Sequence, residues 1–324
     1  MKAIIPAAGV GTRLRPHTLV IPKVLINVGG KPILSHIIDQ ALESGIDDIA
    51  FIIGYRGDQI KEYIESNYSF KHRFYEQKEM LGIAHAISLA EEYLRDEPVF
   101  IVLGDTIFEA DLKPVFKGKY SSLGVREVED PRRFGTIELD ENGFAHTLVE
   151  KPVHPKSNLT LVGLYFLKNG RILKESIEEL IQRDHKTKGE YQITDALQYV
   201  INKGEKITTF HVDGWYDCGK PETILSTNRH LLSRIKQNHK IEGSLIRPPV
   251  YIDAAAKVEN SIIGPNTTIA KGSTIRNSIL INSIVGNESL VQNASLKDSI
   301  IGDRAAISGS FNTLNVSDFS EITL

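Results

Sequence analysis

Three cations near the amino terminus and two aspartates far apart in the chain are the side chains best suited to chemistry. The run Pro6-Ala7-Ala8-Gly9-Val10-Gly11-Thr12-Arg13-Leu14-Arg15-Pro16 puts two glycines just ahead of two arginines, and Pro22-Lys23 follows ten residues after Arg13. Gly9 and Gly11 let a backbone approach a phosphate closely, with amide N–H groups turned toward it. Arg13 and Arg15 add fixed positive charge. The stretch is irregular, and long irregular loops inside compact domains tend to be functional. It is not a Walker-type loop, because G-x-x-x-x-G-K-[ST] is absent. It is not a dinucleotide fingerprint either, since Leu14 stands where the third glycine belongs.

Asp105 follows the apolar run Val99–Leu103, and Asp217 lies in GWYDCGKPE, which reads as an aromatic-rich loop before the last long helix. Either aspartate alone is equally a turn or helix cap. Hard carboxylates of this kind suit Mg²⁺, which takes one or two protein carboxylates and completes its shell with phosphates and water. The sequence holds no Cys/His cluster for zinc. Gln77 and Gly82 lie five residues apart in YEQKEMLGIAHAI. A primary amide offers an acceptor beside donors, which complements N3–H and a carbonyl of uracil or thymine. A glycine lets the base touch the backbone.

These groups need elements to hold them. Ala3–Pro6, Ile49–Ile53 and Val99–Leu103 are short, continuous and rich in β-branched residues, and each leads into a glycine. Such runs predict parallel strands buried on both faces. Residues 32–44 repeat apolar side chains at i, i+4, with Pro32 ahead and Gly45 behind; 58–65 and 83–94 repeat the pattern more weakly. Alternation of this kind predicts a doubly wound, Rossmann-like α/β domain, with ligands beyond the carboxyl ends of the strands. Strand-like texture over 123–128, 134–139, 145–149 and 159–167 predicts a mixed extension of the sheet. Further helices are predicted at 171–182, 194–203 and 220–236. From Ile252 through Val258, Ile263, Ile269, Ile275, Leu280, Val285, Leu290, Leu296 and Ile301 to Ile307, an aliphatic residue returns every five or six positions. Gly, Asn, Ser, Asp and Thr lie between. That period predicts a left-handed parallel β-helix of hexapeptide repeats. The chain is therefore expected to divide at 1–238 and 239–324, the latter ending in a polar tail from Phe311.

Composition narrows the partners. The chain has 324 residues, 24% of them charged, a formal net charge of −3 and 41% hydrophobic residues. That is a globular composition. No basic excess points to nucleic acid, so an anionic ligand must be held by local cations. No apolar stretch approaches the roughly 20 residues of a membrane span. The amino terminus reads as a buried strand, not a signal peptide. Cys218 is the single cysteine, which excludes an intramolecular disulfide and suits the cytoplasm.

The loop G-x-G-T-R-x-R-P with its following P-K, together with Asp105 and Asp217, resembles the sugar-1-phosphate nucleotidyltransferases over about residues 1–235. These enzymes are also called nucleoside-diphosphate-sugar pyrophosphorylases. The common loop is GG-x-GTR-x-x-P; Ala8 replaces its first glycine, as in some uridylyl-transferring members. The similarity lies nearest to glucose-1-phosphate thymidylyl- and uridylyltransferases with a hexapeptide-repeat extension. It implies transfer of a nucleotidyl group from dTTP or UTP to a sugar-1-phosphate, glucose-1-phosphate foremost, with release of pyrophosphate. It implies Mg²⁺ on Asp105 and Asp217, catalytic roles for these two with Arg13 and Lys23, and nucleotide contacts from Ala8, Gly9, Gly11, Thr12, Arg13, Gln77 and Gly82. FGT, EKP and VGLY resemble the sugar-site segments, which implies sugar-phosphate contacts from Gly135, Glu150, Lys151, Val162 and Tyr165. LG-x-AHA is closest to the uridylyl branch. GEYQITDAL resembles a segment near the sugar, yet Ile193-Thr194-Asp195 reads equally as a helix start.

Rival functions remain. One is a mannose-1-phosphate guanylyltransferase, which the Gln77/Gly82 spacing disfavours. Another is a regulatory relative that only senses nucleotide sugars; it should lack some of Arg13, Lys23, Asp105 and Asp217, and all four are present. A third adds acyl transfer on the β-helix, which usually needs a histidine base, and the last histidine is His239, ahead of the repeats. The repeats are expected instead to pack copies into a homo-oligomer or to respond to an effector.

Overall fold

The computed structural model describes residues 1–235 and 239–310. Two compact units emerge: Met1–Ile26 with Lys31–Thr223, and Asn27–Gly30 with the chain from Ile224 onward. The polar tail from Phe311 and the last residue of the helix expected over 220–236 lie outside the described residues.

The first unit is built on strands β1 (Lys2–Pro6), β2 (Asp48–Ile53), β3 (Lys71–Glu76) and β4 (Val99–Val102). β1 pairs in parallel with both β2 and β4, and β2 with β3. The β-branched runs explain this placement: Ile4, Ile5, Ile49, Ile52, Val99 and Ile101 are wholly buried. Helices α1 (Ile33–Glu43) and α2 (Gly57–Asn67) fall where the i, i+4 spacing predicts. The third helix is shorter than its pattern. α3 spans Ile83–Ser88, then Ala90 leaves helical geometry and a short 3₁₀ turn buries Tyr93, whose hydroxyl donates to Asp48. β3 escapes a sequence reading because Lys71, His72 and Arg73 mask it; it is an edge strand with one face open.

The rest of the sheet is mixed, as expected. β5 (Thr106–Glu109) lies outside it, in a separate two-stranded sheet, and β6 (Ser121–Glu127), β7 (Gly135–Leu139), β8 (Ala145–Glu150) and β9 (Leu159–Leu167) follow within it. β9 runs antiparallel to β4 and β6, and its register with β6 shifts between Leu161 and Tyr165 around Gly163, whose φ is +82°. α5 (Gly170–Gln182) and α6 (Ile193–Asn202) cover one face; here α4 is the short helix Leu112–Lys117. β10 (Ile207–His211) joins β6 in parallel. β11 (Gly214–Asp217) corrects the loop expected around Asp217: it pairs antiparallel with β5, Asp217 opposite Thr106.

The second unit is the left-handed β-helix, three parallel four-stranded sheets in successive coils. Leu245 pairs with Ile262, Ile262 with Ile279, and Ile279 with Ser295, so a coil takes 16 or 17 residues. The core column holds Ile263, Ile269, Ile275, Leu280 and Val285 as expected, but Val291 points inward where Leu290 is expected. The step from Val285 to Val291 is six residues, as from Ile269 to Ile275, so the side chain stacked on Ile275 is Val291. Corners at Asn260, Asn277 and Asn293 take positive φ, which asparagine tolerates better than most residues. Serines fill the inner turns: Ser261 N donates to Ser244 Oγ and Ser278 N to Ser261 Oγ, each at 3.1 Å. Helix α7 (Pro221–Ser233) contributes buried Asn228, whose Oδ1 accepts from Gly29 N at 2.9 Å and Thr268 Oγ1 at 2.7 Å, while its Nδ2 donates to Asn266 O at 3.1 Å. A buried amide with three hydrogen bonds ties this helix and the 27–30 loop to the coils.

Ile275 is fully buried and Ile279 is 38% exposed on neighbouring strands of the β-helix. Ile275→Ala should therefore cost about 2–5 kcal/mol and Ile279→Ala less than about 1 kcal/mol in chemical denaturation. Equal losses would mean that the inward register is assigned to the wrong residue.

Candidate active site

The carboxyl ends of β1, β2 and β4 meet in one place, because Gly104 N donates to Pro6 O at 3.0 Å and Ala7 N to Ile52 O at 2.7 Å. The loop after β1 turns sharply at Gly11, with φ of +67°. A Cβ there would lie 3.0 Å from Thr18 Cγ2 and 3.1 Å from Lys23 Cβ, so a larger residue would push the lysine aside. Thr18 Oγ1 donates to Gly11 O at 2.8 Å and ties the loop to itself. Lys23 is 7% exposed and its Nζ lies 2.6 Å from Asp105 Oδ2.

That ion pair sets the charge state. Burial opposes ionisation of Asp105, but the Lys23 ammonium beside it, with Arg13 farther off, outweighs burial and holds its carboxyl below the ordinary range. A carboxyl lowered on folding contributes stability above its unfolded value, and that contribution is lost as pH falls through the folded value. Asp105 is thus an anion throughout the neutral range. Asp217 reaches the same spot through the β5–β11 ladder, and Cys218 N donates to Asp105 O at 3.2 Å. A Cβ on Gly219 would meet Asp217 Oδ1 at 2.8 Å and Arg13 Nη2 at 2.9 Å, so these two groups flank one small gap.

Two cavities adjoin here. One, of about 320 Å³, is lined by Ala8, Gly9, Gly11, Thr12, Arg13, Lys23, Gln77, Gly82 and Asp105. Every residue expected at the nucleotide is in it. The other, of about 520 Å³, is lined by Arg13, Asp105, Gly135, Glu150, Lys151, Val162, Tyr165 and Asp217, which includes every residue expected at the sugar phosphate. The four charged residues are therefore not all on one wall. Lys23 faces the smaller cavity and Asp217 the larger, while Arg13 and Asp105 line both.

In the larger cavity the β9 register shift presents Val162 and Gly163 beside Leu103, whose N–H donates to Gly163 O at 3.0 Å. Bulges commonly re-aim side chains next to active sites. Glu150 does not wait with both oxygens open: Oε2 accepts from Thr194 Oγ1 at 2.6 Å and Oε1 pairs with Lys151 Nζ at 3.1 Å. Lys151 holds a φ of +45°, a sparsely populated conformation for a lysine. Burial, with Glu150 and Asp105 nearby, keeps the Tyr165 phenol protonated, hence a donor. Residues missed from sequence also line this cavity: Arg132, Arg133, Lys188, Glu190, Gln192 and Trp215. GEYQITDAL carried a signal for Glu190, Gln192 and Thr194. Arg132 and Arg133 carried none; only the turn capped by Asp130 brings them in.

In the smaller cavity Gln77 is 4% exposed. Its amide nitrogen donates to Gly82 O at 3.2 Å, so the donor end is engaged inside the protein and does not face a base as expected. A Cβ on Gly82 would lie 2.5 Å from Tyr191 O, at a φ of +114°, whereas one on Gly143, at +80°, would meet nothing within 4 Å. Gly82→Ala should cost more than about 2 kcal/mol in denaturant unfolding, against about 1 kcal/mol for Gly143→Ala. Matching losses would show that the close approach to Tyr191 is not what requires glycine.

Comparison with known proteins identifies the family. A family profile described as Nucleotidyl transferase matches residues 2–234. The bifunctional protein GlmU of Methanocaldococcus jannaschii is 38% identical over 261 residues, covering 79% of this chain; the chain spans only 61% of that relative's length. A glucose-1-phosphate thymidylyltransferase of Streptomyces antibioticus is 31% identical over 319 residues, covering 89% of this chain and 88% of that one. A solved UDP-glucose pyrophosphorylase complexed with UDP-glucose superposes with a TM-score of 0.65 at 26% identity, covering 72% of this chain and 99% of that one. With the profile matched over residues 2–234 and a relative 31% identical over 319 residues, the chain belongs to the nucleotidyl transferase family.

Proposed function

We propose that this protein transfers a nucleotidyl group from dTTP or UTP to glucose-1-phosphate, making a nucleoside-diphosphate sugar and pyrophosphate. The observation that carries this reading is the pair of adjoining cavities that share Arg13 and Asp105. One has a glycine loop, a buried lysine and a base-sized recess. The other has groups able to hold a sugar and its phosphate. The relatives named for glucose-1-phosphate thymidylyl transfer and UDP-glucose synthesis support the two bases and the sugar.

The chemistry asks for little beyond charge and position. The attacking phosphate oxygen is already anionic near neutral pH, since the second ionisation of a phosphate monoester falls near ~6. No general base is needed. The obstacle is bringing two polyanions together in line and stabilising the charge that builds on the α-phosphate. Arg13 holds the leaving β- and γ-phosphates. Lys23, buried and preset beside Asp105, shifts its donors to the reacting phosphates as they arrive. Glu150 accepts from sugar hydroxyls, Lys151 pairs with the sugar phosphate, and Tyr165 donates.

Asp105 and Asp217 fit Mg²⁺ as the metal. Among the described residues no cluster of three or more His, Cys, Asp and Glu could hold an ion. Two carboxylates on neighbouring elements, with substrate phosphates for the remaining positions, match a cation that keeps few protein ligands. Bound there, Mg²⁺ would supply positive charge to the phosphate oxygens. The protein's own part is to keep Asp105 ionised at the junction of the cavities and to hold Asp217 on the wall of the larger one. The repeats are proposed to assemble copies of the chain into a homo-oligomer, in a cytoplasmic setting that suits a single cysteine; a monomer mass by light scattering would count against assembly.

A panel of five triphosphates against several sugar-1-phosphates, read by pyrophosphate release, tests the reading. UTP or dTTP with glucose-1-phosphate should be turned over fastest, and chelation of divalent metal should abolish release. A preference for GTP with mannose-1-phosphate, or no release with any pair, would overturn it. Asp105→Asn should lower turnover by at least about 10²-fold while circular dichroism stays that of the wild type. Wild-type rates in that variant would remove Asp105 from the mechanism.

A further inference from the structure

The smaller cavity contains a device that its lining residues do not explain. Gln77 is anchored by its backbone, Gln77 N donating to Ile53 O at 2.8 Å, and its side chain is almost fully buried. Its amide nitrogen lies 3.2 Å from Gly82 O and 3.3 Å from His85 Nδ1. An amide NH₂ has two hydrogens, and here there are two acceptors for them. Gly82 O can only accept, so the nitrogen end of the amide must face it. His85 Nδ1 then has to accept as well, which places the proton of the neutral imidazole on Nε2. The carbonyl end is what remains. Oε1 makes no hydrogen bond among the described residues, and it is not among the buried polar atoms left without a partner. Gln77 lines the cavity where the base is proposed to sit.

We infer that His85 is a positioning residue for base selection: by accepting from Gln77 Nε2, it locks the amide with its carbonyl oxygen toward the base. The base then meets a fixed acceptor. Uracil and thymine present N3–H to it and gain a hydrogen bond. Cytosine presents a lone pair at N3 and is repelled. Without His85, one amide hydrogen loses its buried partner, and the side chain turns to recover one. The fixed acceptor then becomes an averaged group that no longer tells the bases apart. A site built to hydrogen-bond a ligand group rejects analogues that lack it through this kind of commitment. The histidine of LG-x-AHA thereby gains a physical role one turn away from the ligand.

The inference rests on the uridylyl or thymidylyl reading above, and the test separates the two. Wild-type protein is first assayed with UTP, dTTP and CTP; if it uses none of the imino-bearing pyrimidines, that reading fails before any variant is made. Given wild-type use of UTP or dTTP, His85→Leu should raise KM for that nucleotide about tenfold, the worth of one hydrogen bond. KM for the sugar-1-phosphate should not change, and the preference over CTP should narrow to a similar extent. His85→Asn should restore both values, because its Oδ1 accepts close to the position of Nδ1. Wild-type KM and selectivity in His85→Leu would overturn the inference. So would equal losses in His85→Leu and His85→Asn, which would mean that ring packing is what matters. Nitrogen-15 NMR of histidine-labelled wild-type protein gives a reading that needs no stable His85→Leu. The His85 signal, located by its loss in His85→Asn, should show Nδ1 without a proton, and a protonated Nδ1 at neutral pH would equally overturn the assignment.

Discussion

The site depends on one contact, the ion pair between Lys23 and Asp105. A lysine with 8% of its side chain exposed is tolerated only beside an opposite charge. The same pairing keeps Asp105 ionised against the cost of burial. The lysine thus holds Asp105 in the charge state that polyphosphate chemistry requires. On the proposed reading, arriving phosphates would meet a cation already in place and an anion already free of its proton.

Much of the fold serves to bring these two groups together. Asp105 follows a central parallel strand, and Lys23 follows a loop that a left-handed glycine folds back. The backbone bond from Gly104 to Pro6 keeps the two strand ends in step. Asp217 arrives differently, as the last residue of a short antiparallel strand paired with the segment that follows Asp105. Arg13 and Asp105 then stand where the two cavities meet. A reaction that joins two phosphates across such a boundary needs its charges there.

Legibility in the sequence varied with how local the cause was. Ala3–Pro6, Ile49–Ile53 and Val99–Leu103 announced their burial because parallel strands in a sheet's centre are apolar on both faces. The edge strand from Lys71 did not, because half of its side chains face water. The β-helix was visible as a period, yet a step of six residues after Val285 brings Val291, not Leu290, into the core. The strand ending at Asp217 was hidden because its partner, residues 106–109, lies about a hundred positions away.

The same distinction holds at the site. Residue type and short spacing singled out the glycine loop, its cations and Gln77 with Gly82, each a property of a side chain or a tight turn, while the resemblance to the family paired the two carboxylates and supplied the residues expected at the sugar. Tertiary structure alone decided which of them share a wall, which face of the Gln77 amide is turned inward, that Glu150 is held by Thr194 and Lys151, and that Arg132 and Arg133 join the larger cavity. Those outcomes depend on distances between segments far apart in the chain, and through-space hydrogen bonds and charges act over a few ångströms whatever the separation in sequence.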